Sequence, residues 1–94
     1  MKNIDVIINY LQMKNAKSSN GNLWTKETEK GFCLMNYATA LAIQQNDKIL
    51  YNTRKYSVTT SKIQHYLRFE ISKLYHNKDI IEIDFSELNL ERGF

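Results

Sequence analysis

The stretch Lys55-Tyr56-Ser57-Val58-Thr59-Thr60-Ser61-Lys62-Ile63-Gln64 changes the hydrophobic period of this chain. Up to Val58 the residues favour a strand, which continues Ile49-Leu50-Tyr51-Asn52-Thr53. Beyond it, Ile63, Tyr66, Leu67, Ile71 and Leu74 recur at the spacing of one helix face, with Lys62, Arg68 and Lys73 off that stripe. Hydroxyl residues fill the gap. Ser61 and Gln64 have the separation of a capping box, and Thr59 or Thr60 are alternative caps. Asn77 is a plausible stop. A strand that runs straight into a long amphipathic helix needs a sheet for that helix to cover, so a layered α+β arrangement follows.

The remaining segments fit that expectation. Residues 3–14 read as a helix through Ile4, Ile7, Ile8 and Leu11, with Asn3 as N-cap, although Ile4, Val6, Ile8 and Tyr10 also suit a strand. Residues 15–22 form a polar loop. Leu23 to Lys26 and Phe32 to Met35 read as a hairpin around the charged turn Glu27–Gly31. Asn36 to Ile43 follows as a strand with Tyr37, Thr39, Leu41 and Ile43 on a bulky face and alanines on the other, although the alanines also suit a helix, and Gln45–Lys48 is a turn. Ile80 to Phe85 is a last strand, with Ile81, Ile83 and Phe85 opposite Glu82 and Asp84. Residues 86–94 add a turn of helix or fray. The expected fold is α+β in one domain, residues 1–94: a small antiparallel sheet packed on one long helix (about residues 61–76), with an N-terminal helix, in the order α-β-β-β-β-α-β.

Charge is unevenly distributed. Residues 48–78 carry a net +6 and residues 79–94 a net −4, against +3 for the whole chain. The basic middle either offers a surface to an anionic partner or is neutralised by the acidic end within the fold. The opening residues lack the features of a signal peptide, and no run approaches the roughly 18 apolar residues of a membrane helix. A cytoplasmic protein with no membrane association is therefore expected.

Catalytic chemistry finds little support. The lone Cys33 reads as a small buried hydrophobe in a reducing compartment. His65 and His76, on one helix, would stand about three turns apart, too far to share an ion. Gly21, Gly31 and Gly93 make no phosphate loop, and no nucleophile elbow occurs. The expectation is no enzyme, no metal and no cofactor. Trp24 reads first as a cap on the core and second as a stacking group. The residues with a surplus beyond structural duty are Arg54, Lys55, Tyr56, Lys62, Arg68 and Lys73, clustered around the strand-to-helix junction. Tyr51 and Tyr56 could stack on bases there, and hydroxyls at a helix start suit a phosphate.

Three blocks carry a resemblance: Asn22-Leu23-Trp24-Thr25, Leu34-Met35-Asn36-Tyr37-Ala38-Thr39-Ala40-Leu41-Ala42, and Asn52-Thr53-Arg54-Lys55-Tyr56-Ser57-Val58-Thr59-Thr60-Ser61-Lys62-Ile63-Gln64. Over residues 22–64 the chain resembles a family of small uncharacterised phage and mobile-element proteins with an Asn-Thr-x-Lys-Tyr-Ser-x-Thr-Thr-Ser-Lys-x-Gln motif. The resemblance implies a phage-type accessory protein in the host cytoplasm, with roles in host takeover, counter-defence or nucleic-acid handling. The leading expectation is a non-enzymatic inhibitor that binds a host or defence protein, or a protein–nucleic acid complex, in an anti-CRISPR-like manner. The alternative is a nucleic-acid or nucleotide-binding module using the basic junction. Self-association into a homodimer stays open.

Overall fold

The computed structural model describes residues 1–92. Helix α1 (Asn3–Leu11) precedes four strands, β1 (Leu23–Thr28), β2 (Gly31–Asn36), β3 (Thr39–Gln45) and β4 (Lys48–Asn52). Helix α2 (Val58–Leu74) follows, then a short 3-10 turn (Asn77–Asp79) and strand β5 (Ile80–Ile83). The sheet order is β1-β2-β3-β4-β5. The first four strands form an antiparallel meander, and β5 joins β4 in parallel. A parallel neighbour needs a crossover connection, and α2 provides it. The α+β expectation therefore holds, with one parallel pair added to a mostly antiparallel sheet.

Each connection has a local cause. Gly31 has φ +136°, and a Cβ there would collide with the Gln44 carbonyl on the neighbouring strand. Only glycine satisfies both demands. Asn46, φ 36°, turns the chain between β3 and β4. Tyr37, φ 56°, turns it between β2 and β3, so the expected continuous strand through Tyr37 is broken there. A bulge opposite Leu34 and Met35 then puts Leu41 on the helix side and Ala40 and Ile43 on the other. The regular alternation expected for Leu41 and Ile43 fails for that reason.

The sheet has two apolar faces. One meets both helices: Leu23, Phe32, Leu34, Leu41, Ile49 and Tyr51 pack against Val6, Ile7, Tyr10 and Leu11 of α1 and Ile63, Leu67 and Ile71 of α2. The other face carries Cys33, Met35, Ala40, Ile43 and Leu50, and Phe85 packs on it fully buried, with Trp24, Ile81, Ile83 and Leu90 beside it. Residues beyond β5 therefore fold back as turns across the sheet, and Phe85 belongs to that segment rather than to a strand. Leu90 N–H donates to the Phe85 carbonyl at 2.8 Å, and Ala40 N–H donates to the Glu91 carbonyl. The expected turn or fray covers Ser86 to Phe94, of which Gly93 and Phe94 lie outside the described residues.

Both helices are rotated from their expected faces. In α1 the buried residues are Val6, Ile7, Tyr10 and Leu11, while Ile4 and Ile8 face solvent. Tyr10 decides this: its ring stacks on Phe32 at 5.3 Å and its hydroxyl donates to the Phe32 carbonyl at 2.9 Å. Burial pushes the Tyr10 phenol well above its ordinary pKa. Lys2, not Asn3, occupies the N-cap position, without a side-chain bond. In α2, Thr60 and Gln64 are buried with Ile63, Leu67 and Ile71, while Leu74 is exposed. Helix α2 also starts earlier and ends earlier than the expected 61–76.

Candidate functional site

The junction between β4 and α2 is built by a polar network. Asn52, the last residue of β4, is fully buried. Its Nδ2 donates to the Ala40 carbonyl (2.9 Å) and the Tyr56 hydroxyl (3.0 Å), and its Oδ1 accepts from the N–H groups of Arg54 (3.0 Å) and Phe85 (3.3 Å). Residues 53–57 then run without regular structure into α2. The expected strand through Lys55 to Val58 is absent because Asn52 captures the backbone that a strand would need. Ser57 is the N-cap: its Oγ accepts from Thr60 N–H at 3.2 Å. The expected caps Thr59, Thr60 and Ser61 lie inside the helix. Thr60 instead donates to Asn36 Oδ1 at 2.9 Å, and Gln64 donates to the carbonyls of Asn52 and Arg54, both at 3.0 Å. Tyr51 closes the joint, donating to the Gln64 carbonyl at 3.0 Å.

The candidate binding residues separate into two groups. Arg54 faces the C-terminal segment: its Nη1 donates to Ser86 Oγ at 2.8 Å and lies 3.9 Å from Asp84, and its Nε lies 3.8 Å from Glu91. The Ser86 hydroxyl and amide, with Arg54 adding to them, hold the Asp84 carboxyl below its usual range. Tyr56 turns inward and donates to Glu91 Oε2 at 2.6 Å. Burial and the Glu91 acceptor push its phenol up to about 12. Arg68 pairs with Glu82 at 3.1 Å, and Lys73 pairs with Glu70 at 3.1 Å while standing 4.4 Å from the Phe69 ring centre. Lys55 and Lys62 are exposed and make no ion pair among the described residues.

Two open surfaces lie beside the candidate binding residues. The first is the outward pole of α2. At 100° per residue, Val58, Lys62, His65, Phe69 and Lys73 point away from the buried Ile63, Leu67 and Ile71. Val58 is 74% exposed and Phe69 59% exposed. The second is a cleft of about 330 Å³ lined by Tyr51, Thr53, Arg54, Lys55, Ser61, Gln64 and His65. No carboxylate lines it among the described residues. A larger hollow, about 610 Å³, lies between the hairpin tips, where Glu27, Glu29 and Asp47 share the wall with Lys30 and Lys48. Its mixed charge selects no particular ligand.

The sequence did not point to Val58 or Phe69, because an exposed apolar residue on a helix becomes visible only when the buried face is known. His76 lies beyond the end of α2, so the two histidines do not share a helix as expected. Cys33 is buried and burial raises its thiol pKa, the reverse of what a nucleophile needs. Trp24 is half-buried, packs on the second core face, and donates its indole N–H to the Tyr37 carbonyl at 2.9 Å. No helix among the described residues is long and apolar enough to cross a membrane. No family model, curated protein or solved structure matches the chain.

Proposed function

We propose that this chain is a phage-type accessory protein that works without catalysis, by docking the outer face of α2 onto an acidic patch of a host protein. On this reading it blocks that protein, as an anti-CRISPR-like or other counter-defence inhibitor would. The observation that carries it is the company Lys62 keeps: Val58 and Phe69, both largely exposed, stand on the same pole of one helix. Apolar side chains beside an exposed ammonium suit a protein surface better than a phosphate backbone, which asks chiefly for charge. Arg54, Arg68 and Lys73 already have carboxylate neighbours, which reduces the charge available to nucleic acid. The phage-type origin rests on the residue 22–64 resemblance alone.

A second reading has its own support. The junction cleft gathers Lys55, His65, Thr53 and Ser61 with no carboxylate in its described lining, so an anionic nucleic acid could seat there. Pull-down from host lysate, with and without nuclease, separates the two. The docking reading expects a defined protein that survives nuclease, binds the purified chain directly, and is lost with Phe69→Ala. Capture that vanishes with nuclease favours the cleft. On either reading Lys55→Glu with Lys62→Glu abolishes binding while circular dichroism and thermal stability stay unchanged, because both ammonium groups are exposed and make no ion pair among the described residues. Unchanged affinity in that double variant rejects this whole side of the molecule.

A further inference from the structure

We infer that the hollow between the first turns of α1 and α2 binds a nucleoside through its base edge. The hollow is separate from the α2 outer face and encloses about 210 Å³. That is the volume of about seven liquid waters, the scale of a single heterocycle. Four carboxamides line it, from Asn3, Asn20, Asn22 and Asn36, together with Tyr37 and Thr59. The lining comes from the start of α1 (Asn3), the loop before β1 (Asn20, Asn22), the end of β2 and its turn (Asn36, Tyr37) and the start of α2 (Thr59). No Lys, Arg, Asp or Glu lines it among the described residues.

Two of the carboxamides are held in place. Asn36 is buried, accepts from the Thr60 hydroxyl at 2.9 Å, and donates to the Asn22 carbonyl at 3.2 Å. Asn20 Oδ1 accepts from the Ser18 hydroxyl at 2.8 Å and the Asn22 N–H at 3.0 Å. This leaves the Asn20 amide hydrogens and the second Asn36 amide hydrogen for a ligand. The side chains of Asn3 and Asn22 make no hydrogen bond to the described residues, so each offers a donor and an acceptor. A neutral lining that mixes donors and acceptors matches a base edge, which presents both side by side. No charged side chain in the described lining is there to pair with a ligand's net charge.

Tyr37 supplies the second element of base recognition. It is 64% exposed at this hollow and sits at φ 56°, where glycine is the undemanding residue. Its N–H donates to the Asn22 carbonyl at 2.7 Å and its carbonyl accepts from the Trp24 indole at 2.9 Å, so the turn is held from both sides. An exposed aromatic ring carried on a held backbone beside an amide-lined hollow is a stacking surface for a base.

The test is an amide-resolved NMR titration of the full chain with adenosine, guanosine, cytidine and uridine in turn, and with glucose as a neutral polyhydroxy control. At least one nucleoside should shift the amides of Asn20, Asn22, Tyr37 and Thr59 saturably. Tyr37→Gly removes the ring and relieves the backbone, so it should stay folded and bind about tenfold more weakly. Asn22→Ala should weaken binding as well, since its backbone bonds persist. The inference is overturned if no nucleoside shifts these amides up to its solubility limit. It is equally overturned if glucose binds as tightly, or if both variants bind like the parent chain.

Discussion

Asn52 has no exposed surface, yet its carboxamide makes four hydrogen bonds that join β3, the junction loop and the C-terminal segment. Removing such a group strands several buried partners at once, which costs more than the bonds themselves contribute. Asn52→Ala should lower the unfolding free energy by about 2–4 kcal/mol, read from urea denaturation. Asn52→Asp loses the donors and sets a buried carboxyl against the Ala40 carbonyl, so it should destabilise at least as much. Equal stability of all three proteins would deny Asn52 its linking role. The tyrosines give a second residue-level prediction. Burial raises the phenols of Tyr51 and Tyr56 to about 12, with nearby Glu82 adding to the first and Glu91 to the second. The folded state therefore holds these protons more tightly than the unfolded chain, whose tyrosines titrate near 10. Their contribution is complete below pH 10 and is lost as pH rises towards 12. Tyr51→Phe with Tyr56→Phe should flatten that fall, measured as unfolding midpoint against pH. An unchanged slope would show that other groups govern alkaline stability.

Helix α2 shows what periodicity can and cannot convey. Its existence, its approximate length and its position against a sheet were legible from Ile63, Leu67 and Ile71. Its exact face was not. Thr60 and Gln64 are buried because Asn36, Asn52 and Arg54 offer them partners from distant strands. No local pattern reports such partners, and a stripe drawn from apolar residues alone drifts towards Tyr66 and Leu74. The same limit applies in α1, where apolar residues on several sides leave Tyr10 and its carbonyl partner to choose the face. The site divides in the same way. Lys55 and Lys62 were legible as surplus charge, whereas Arg54 and Tyr56 are drawn into holding the C-terminal segment. The cap gives this scale its prediction. Ser57→Ala should cost about 1 kcal/mol, because its Oγ serves the Thr60 amide. Ser61→Ala should change stability by less than about 0.5 kcal/mol, since Ser61 lies past the cap and makes no side-chain bond among the described residues. Comparing the two thermal midpoints decides which hydroxyl caps the helix.

At the scale of the molecule, the basic middle and the acidic end meet within the fold. Arg54 lies between Asp84 and Glu91, and Arg68 pairs with Glu82. These pairs are partly exposed, so each contributes about 1 kcal/mol or less. The segment is held mainly by its apolar anchor. Phe85 is fully buried on a sheet face that neither helix covers, beside Cys33, Met35, Ile43 and Leu50. Without it, one side of a five-stranded sheet would stand open to water. Phe85→Ala should therefore reduce stability by about 3–5 kcal/mol. Leu88→Ala, in the same segment but 59% exposed, should fall within about 0.5 kcal/mol of the parent. Chemical denaturation of both variants tests the difference, and equal midpoints would mean that the segment does not seal the sheet. The result also governs how surface variants are read. An Arg54→Ala protein that binds less well counts for a binding role only if its denaturation midpoint matches the parent, because Arg54 also holds the segment that Phe85 anchors.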